Sequence, residues 1–118
     1  MSSIVFSAIN IHTGERVAIK KIKNFLENKY ESLRILREIL LLRKLKHPNI
    51  INLREIVIED EKGKELSLIL DFIPTDAKKL FKSNTVFDIL KIKLIIFQIL
   101  LGLNYCQQSQ VLHRDLKP

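Results

Sequence analysis

Short apolar runs rich in β-branched residues occupy positions 4–9, "IVFSAI", and 16–22, "RVAIKKI". They flank "NIHTG", whose Gly14 suits a tight turn, and together predict a β-hairpin. From Lys29 to Lys46 the pattern changes period: Leu33, Leu36, Ile39 and Leu40 recur at helical spacing among good helix formers and charged residues. His47-Pro48-Asn49 ends that helix, because proline cannot continue it and restrains the residue before it. A second pair of strands is predicted near 51–58 and 66–72, joined by the charged turn "EDEKGKE" with Gly63 near its tip. Pro74 and the polar residues after it mark a linker over 71–76.

The last long apolar stretch, "ILKIKLIIFQILLGL" at 89–103, is helical in period but apolar nearly all round. Ile92, Ile95, Ile96, Ile99, Leu103 and Cys106 lie along one face; Leu94, Phe97, Leu101 and Tyr105 lie along another. Lys91, Lys93 and Gln98 interrupt it, and the run is shorter than the ~20 residues that span a bilayer. It is expected to be a buried helix of a larger structure, with no membrane as partner. Leaving its second face open puts roughly 1.5–3 kcal/mol at stake for each large side chain, so the chain is expected to be incomplete.

Composition narrows the picture. The 118 residues suit one folding unit, and 47% hydrophobic with 28% charged residues is the balance of a globular chain. The lone Cys106 cannot make an internal disulfide, and "MSSIVFSAIN" has neither the basic stretch nor the long apolar run of a signal peptide. A reducing, cytoplasmic setting is expected, with the nucleus also open. The net charge of +7 is spread along the chain without interleaved aromatics, which predicts a solvated basic surface and no nucleic-acid partner.

Three places carry candidate chemistry. "VAIK" puts Lys20 on a strand, where it could reach a phosphate. Glu38 sits mid-helix among apolar residues, and a carboxylate there wants a cation. Lys20 is one candidate and a local pair with Arg34 or Arg37 the other. At the end of the chain "VLHRDLKP" follows the apolar helix through a β-like "VL". On such a loop Asp115 could accept a proton from an alcohol, and Lys117 could neutralise charge on a phosphoryl group.

"HRDLKP", "VAIK" and the mid-helix glutamate occur in the order and at the separations of the protein kinase motif set. The chain resembles the first part of a eukaryotic protein kinase domain over essentially its whole length. The lysine after "HRDL" favours the serine/threonine class. "LREILLLRKLKHPNII" and "LDFIPTD" look most like mitogen-activated protein kinases, while "HTGERVAIKKI" would also suit a cyclin-dependent kinase.

The resemblance implies an α+β fold: residues 1–70 as the kinase small lobe, an antiparallel sheet with one long helix, lacking its first strand; 71–76 as hinge; 77–118 as the start of the helical large lobe. It implies ATP as cofactor, with Lys20 on the α- and β-phosphates, oriented by Glu38, Asp115 as catalytic base and Lys117 near the γ-phosphate. Val5 and Ala18 would line the adenine pocket, Leu70 would stand at its back, and Asp71 and Ile73 would offer backbone groups to the adenine edge. Arg114 matches the regulatory arginine that pairs with an activation-loop phosphate, and His113 is a structural hydrogen-bonder. Protein substrates and an upstream activating kinase would be partners of the complete protein.

The departures are equally specific. Ser3 stands where the last glycine of a Gly-rich loop belongs, and the rest of that loop would precede Met1. The asparagine and aspartate that hold magnesium in the family would fall beyond Pro118, so no metal ligand is assigned here. The 118 residues are therefore expected to transfer no phosphate by themselves. A kinase-like module that binds a kinase's partners through the 29–46 helix is the alternative.

Overall fold

The computed structural model describes residues 3–59, 64–83 and 86–117; Gly63, at the expected turn, and Pro118 lie outside them. The elements run β1 (Ser3–Ile9), β2 (Arg16–Lys23), α1 (Lys29–Lys44), β3 (Leu53–Ile58), β4 (Glu65–Asp71), α2 (Ala77–Lys82) and α3 (Ile89–Gln108). By their contacts they divide into two compact units, 1–46 with 51–72, and 47–50 with 73–118.

The first unit is a four-stranded antiparallel sheet of order β1-β2-β4-β3 with α1 on one face, the α+β arrangement of a kinase small lobe. The β1–β2 turn is built by Asn10 and Gly14. Asn10 Oδ1 accepts from the N–H groups of His12 (2.9 Å) and Thr13 (3.2 Å). The Gly14 N–H returns to Asn10 O at 2.8 Å, and Gly14 takes φ +71°, a conformation open to glycine without steric penalty.

Alternation along the strands sorts side chains by face. Ile22 and Lys20 lie opposite Leu66 and Leu68, and Ala18 lies opposite Leu70. Leu53 and Ile56 of β3 add to the same face across a register irregularity between Leu53 and Glu55. This face meets α1 in the core of Ile22, Ile35, Leu53, Leu66, Leu68 and Leu70. Each such side chain withdrawn from water contributes about 1.5–3 kcal/mol.

α1 begins at Asn28, whose side chain accepts from the N–H groups of Tyr30 (3.0 Å) and Glu31 (3.2 Å). It ends at Lys44, two residues before the expected boundary, because Leu45 turns to extended backbone while its N–H still bonds Leu41 O. The helix turns Ile35, Ile39 and Leu42 toward the sheet; Leu33, Leu36 and Leu40 stay exposed.

In the second unit α3 runs for 20 residues and is by length and composition apolar enough to cross a membrane, longer than the 15-residue run read from the sequence. Most of its large apolar side chains are exposed within this unit, and Gly102 is its buried residue. Gly102 allows the 47–50 segment to approach: a Cβ there would stand 3.2 Å from the Asn49 carbonyl oxygen. His47 stacks on Tyr105 at 5.0 Å in the same unit.

Val111 and Leu112, expected as β-like, form no strand. The helix end takes the Val111 N–H instead: it bonds Cys106 O, while the Gln110 N–H bonds Gln107 O with Gln110 at φ 59°. This is the Schellman closure, here made with glutamine where glycine is usual.

Candidate active site

The expected site residues are held as two groups, one in each unit. In the first, β2 presents Lys20 and α1 presents Glu38. Lys20 Nζ lies 2.7 Å from Glu38 Oε1 and 3.0 Å from Oε2. The competing local pairing with Arg34 or Arg37 is not the one made. The two side chains are 25% and 40% exposed, so the pair is shielded yet reachable from solvent. Lys20 shares its sheet face with the core, and Ile22 and Ile35 pack directly beside the pair, which is why a charge on this face needs a charged partner across from it.

A polar pocket of about 300 Å³ adjoins the pair and is lined by Ser3, Lys20, Ile22, Glu31, Arg34 and Glu38. Lys20 and Arg34 on its wall give it two cations beside two carboxylates.

Register places Val5, Ala18 and Leu70 on the same sheet face as Lys20. Val5 is the cross-strand partner of Lys20, and Ala18 is the partner of Leu70. Val5 is exposed, Ala18 is half-buried and Leu70 is buried. The Asp71 N–H donates to Asn52 O at 3.1 Å, so any backbone contact Asp71 makes to a ligand falls to its carbonyl. Ile73, in the second unit, is exposed.

Sequence spacing gave no sign of how the end of β4 is pinned. Arg54 Nε donates to Asp71 Oδ1 at 2.6 Å and Arg54 Nη1 to Glu15 Oε2 at 2.7 Å. The Asp71 hydrogen bond first, then that of Glu15, holds the guanidinium in its charged form more firmly than usual. Arg16 lies over the Phe72 ring at 5.2 Å. Arg54 lies on β3, Asp71 ends β4 and Glu15 immediately precedes β2, so only the strand register reveals them.

In the second group, residues 111–117 follow α3 without regular structure. The Asp115 N–H donates to His113 Nδ1 at 3.2 Å. Arg114 between them has φ 62°, left-handed backbone that costs a non-glycine residue about 1–2 kcal/mol. Lys117 Nζ lies 3.0 Å from Asp115 Oδ2. The hydrogen bond from Lys117, then its charge and that of His113, hold the Asp115 carboxyl below the usual carboxylate range. Asp115 is thus an ionised, solvent-facing carboxylate at neutral pH.

The protein kinase domain family matches residues 1–118. The chain belongs to the protein kinase family. Among curated relatives it is similar to mitogen-activated protein kinase 2 of Arabidopsis thaliana, 40% identical over 117 residues, covering 98% of this chain and 31% of that protein. Mitogen-activated protein kinase homolog 1 of Petunia hybrida and mitogen-activated protein kinase 3 of Oryza sativa subsp. japonica are each 41% identical over 117 residues, again 98% of this chain. The chain spans 30% and 32% of those two proteins. In this kinase-family chain the lysine, helix glutamate and HRD segment stand in the family's order, with the lysine and glutamate joined as an ion pair.

Proposed function

We propose that this chain is the nucleotide-holding part of a serine/threonine protein kinase of mitogen-activated type. The observation that carries the reading is the Lys20–Glu38 ion pair, formed across elements in preference to the local alternatives. Its ammonium is fixed by two carboxylate oxygens while still partly open to solvent, the state a phosphate-binding lysine needs. ATP is the ligand of this reading, its adenine against Val5, Ala18 and Leu70 and its edge toward the Asp71 carbonyl.

Asp115 is the group that takes a proton from, or orients, a serine or threonine hydroxyl. Lys117 keeps it ionised and supplies positive charge for the phosphoryl oxygens. His113 fixes the backbone of Asp115, and Arg114 is the regulatory cation. Magnesium belongs to this reading as the ion that would neutralise phosphate charge, with no residue of these 118 assigned to hold it. Protein substrates and an upstream kinase belong to this reading of the whole protein, as does an intracellular location. α3 is the internal helix of a larger helical lobe in the same reading.

The test is to titrate the 118-residue chain with ATP and, in parallel, to follow phosphate transfer to a protein acceptor with magnesium present. Saturable ATP binding without transfer is expected. Absence of binding at millimolar ATP contradicts the nucleotide reading. Transfer abolished by Asp115→Asn contradicts the expectation that these residues alone are inactive.

A second reading has one observation in its favour. Leu33 and Leu36, on the exposed side of α1, line an apolar groove of about 530 Å³ with Phe25, Leu26, Ile39 and Leu66. A non-catalytic module would engage a partner there. Partner binding that survives Lys20→Met and is lost in Leu36→Asp would favour it.

A further inference from the structure

The register irregularity in β3 has one residue at its centre. Leu53 faces Leu70 and Glu55 faces Ile69, so β4 offers no partner to Arg54, the extra residue between them. An extra residue of this kind bends its strand and re-aims a side chain, a device common beside active sites. Arg54 is aimed at the end of β4 and the turn before β2: Nε donates to Asp71 Oδ1 at 2.6 Å and Nη1 to Glu15 Oε2 at 2.7 Å.

Asp71 is thereby held twice from the β3 side. Its N–H donates to Asn52 O at 3.1 Å, and its carboxylate accepts from Arg54. These anchors fix the N, Cα and Cβ atoms, and only rotation about the Cα–C bond is left to aim the carbonyl. The next residue limits that rotation, because the Phe72 ring lies under Arg16 of β2 at 5.2 Å. The peptide joining Asp71 to Phe72 is therefore held from β3 on one side and from β2 on the other. Alternation along β4 also keeps the Asp71 carboxylate on the sheet face opposite Leu70 and Lys20.

Stability does not explain the cluster. The Arg54 and Asp71 side chains are 36% and 35% exposed, and an ion pair so open to water adds little to folding. Its effect is on direction.

We infer that Arg54 is a positioning residue for base recognition: by clamping Asp71 it aims the Asp71 carbonyl at the 6-amino group of adenine and sets a preference for 6-aminopurines over 6-oxopurines. This rests on the nucleotide reading, in which that carbonyl faces the adenine edge. A carbonyl oxygen only accepts, so it pairs with the N–H of a 6-amino group and opposes a 6-oxo oxygen. Such discrimination needs a fixed acceptor, since a carbonyl free to rotate turns away from the oxo group and loses the distinction.

The test measures binding of ATP, inosine triphosphate and inorganic tripolyphosphate to the 118-residue chain, unaltered and as Arg54→Gln, Asp71→Ala and the double variant, with a urea midpoint for each. Inosine triphosphate carries an oxo group where ATP carries the 6-amino donor, and tripolyphosphate has no base. The unaltered chain is expected to prefer ATP over inosine triphosphate by about tenfold, the scale of one well-aimed hydrogen bond. Arg54→Gln and Asp71→Ala are each expected to bring the preference below about threefold, and the double variant no lower, because the two side chains act as one unit. Tripolyphosphate affinity and the urea midpoint are expected to stay near those of the unaltered chain. ATP binding with its preference intact in Arg54→Gln overturns the inference and leaves the nucleotide reading standing. So does equal binding of ATP and inosine triphosphate by the unaltered chain, and so does a lowered urea midpoint with equal losses for all three ligands, which would make the cluster structural. ATP that fails to bind the unaltered chain removes the nucleotide reading, and this inference with it.

Discussion

At the scale of single residues, the two candidate groups, one in each unit, rest on ion pairs of unlike kind. Lys20–Glu38 sits beside the core with its side chains 25% and 40% exposed, while Asp115–Lys117 is 73% exposed at both ends. A partly screened pair of the first kind contributes little to folding, on the order of 1 kcal/mol or less. Lys20→Met is therefore expected to shift the urea midpoint only slightly while removing ATP binding; comparable loss of both would make the pair structural. For the second pair the sign follows from a depressed carboxyl. The interaction is present above the ordinary aspartate range and is lost as pH falls through the lowered value. An NMR titration of Asp115 is expected to give a midpoint below that of a free aspartate, and Lys117→Met to move it back up. These residues were legible in the sequence because motif order marks them. Which cation Glu38 would choose was not, since Arg34 and Arg37 were equally near in sequence and only the β2–α1 packing selects Lys20. The Arg54–Asp71–Glu15 cluster left no local trace, because its members meet only through strand register.

At the scale of elements, most of the fold was written in apolar periodicity and turn chemistry: both strand pairs, the long helix and the helix over residues 89–103 all form. The errors lie where backbone hydrogen bonds overrule side-chain pattern. α1 stops at Lys44 although its pattern continues, and Val111 serves the closure of α3 in place of a strand. The leucine stripe Leu33–Leu36–Leu40 was as periodic as the buried one, and burial in the core shared with β2, β3 and β4 decided for Ile35, Ile39 and Leu42. α1 also depends on its start. Asn28 satisfies two N–H groups that the helix leaves open, and Asn28→Ala is expected to lower stability by about 1 kcal/mol in urea unfolding, with Asn28→Asp or Asn28→Ser restoring most of it. No change in Asn28→Ala would show that α1 is held by its packing alone.

At the scale of the whole molecule, the two units contrast. The first closes a core around Ile22 and Leu68, which are almost wholly withdrawn from water. The second leaves Leu94, Ile96, Phe97, Ile99 and Leu100 of α3 about half exposed or more, on a helix apolar enough to cross a membrane. Kinase-family membership gives such a helix a natural place inside a larger domain, and the chain spans about 31% of its Arabidopsis relative. The Lys20–Glu38 pair, on which the proposed nucleotide binding rests, is built in the first unit. The most direct measurement is an NMR titration of the isotope-labelled chain with ATP. Saturable shifts centred on Val5, Ala18, Lys20 and Leu70 are expected, and Glu38→Ala is expected to weaken them strongly. Shifts absent from β1 and β2, or unchanged in Glu38→Ala, would contradict the nucleotide reading.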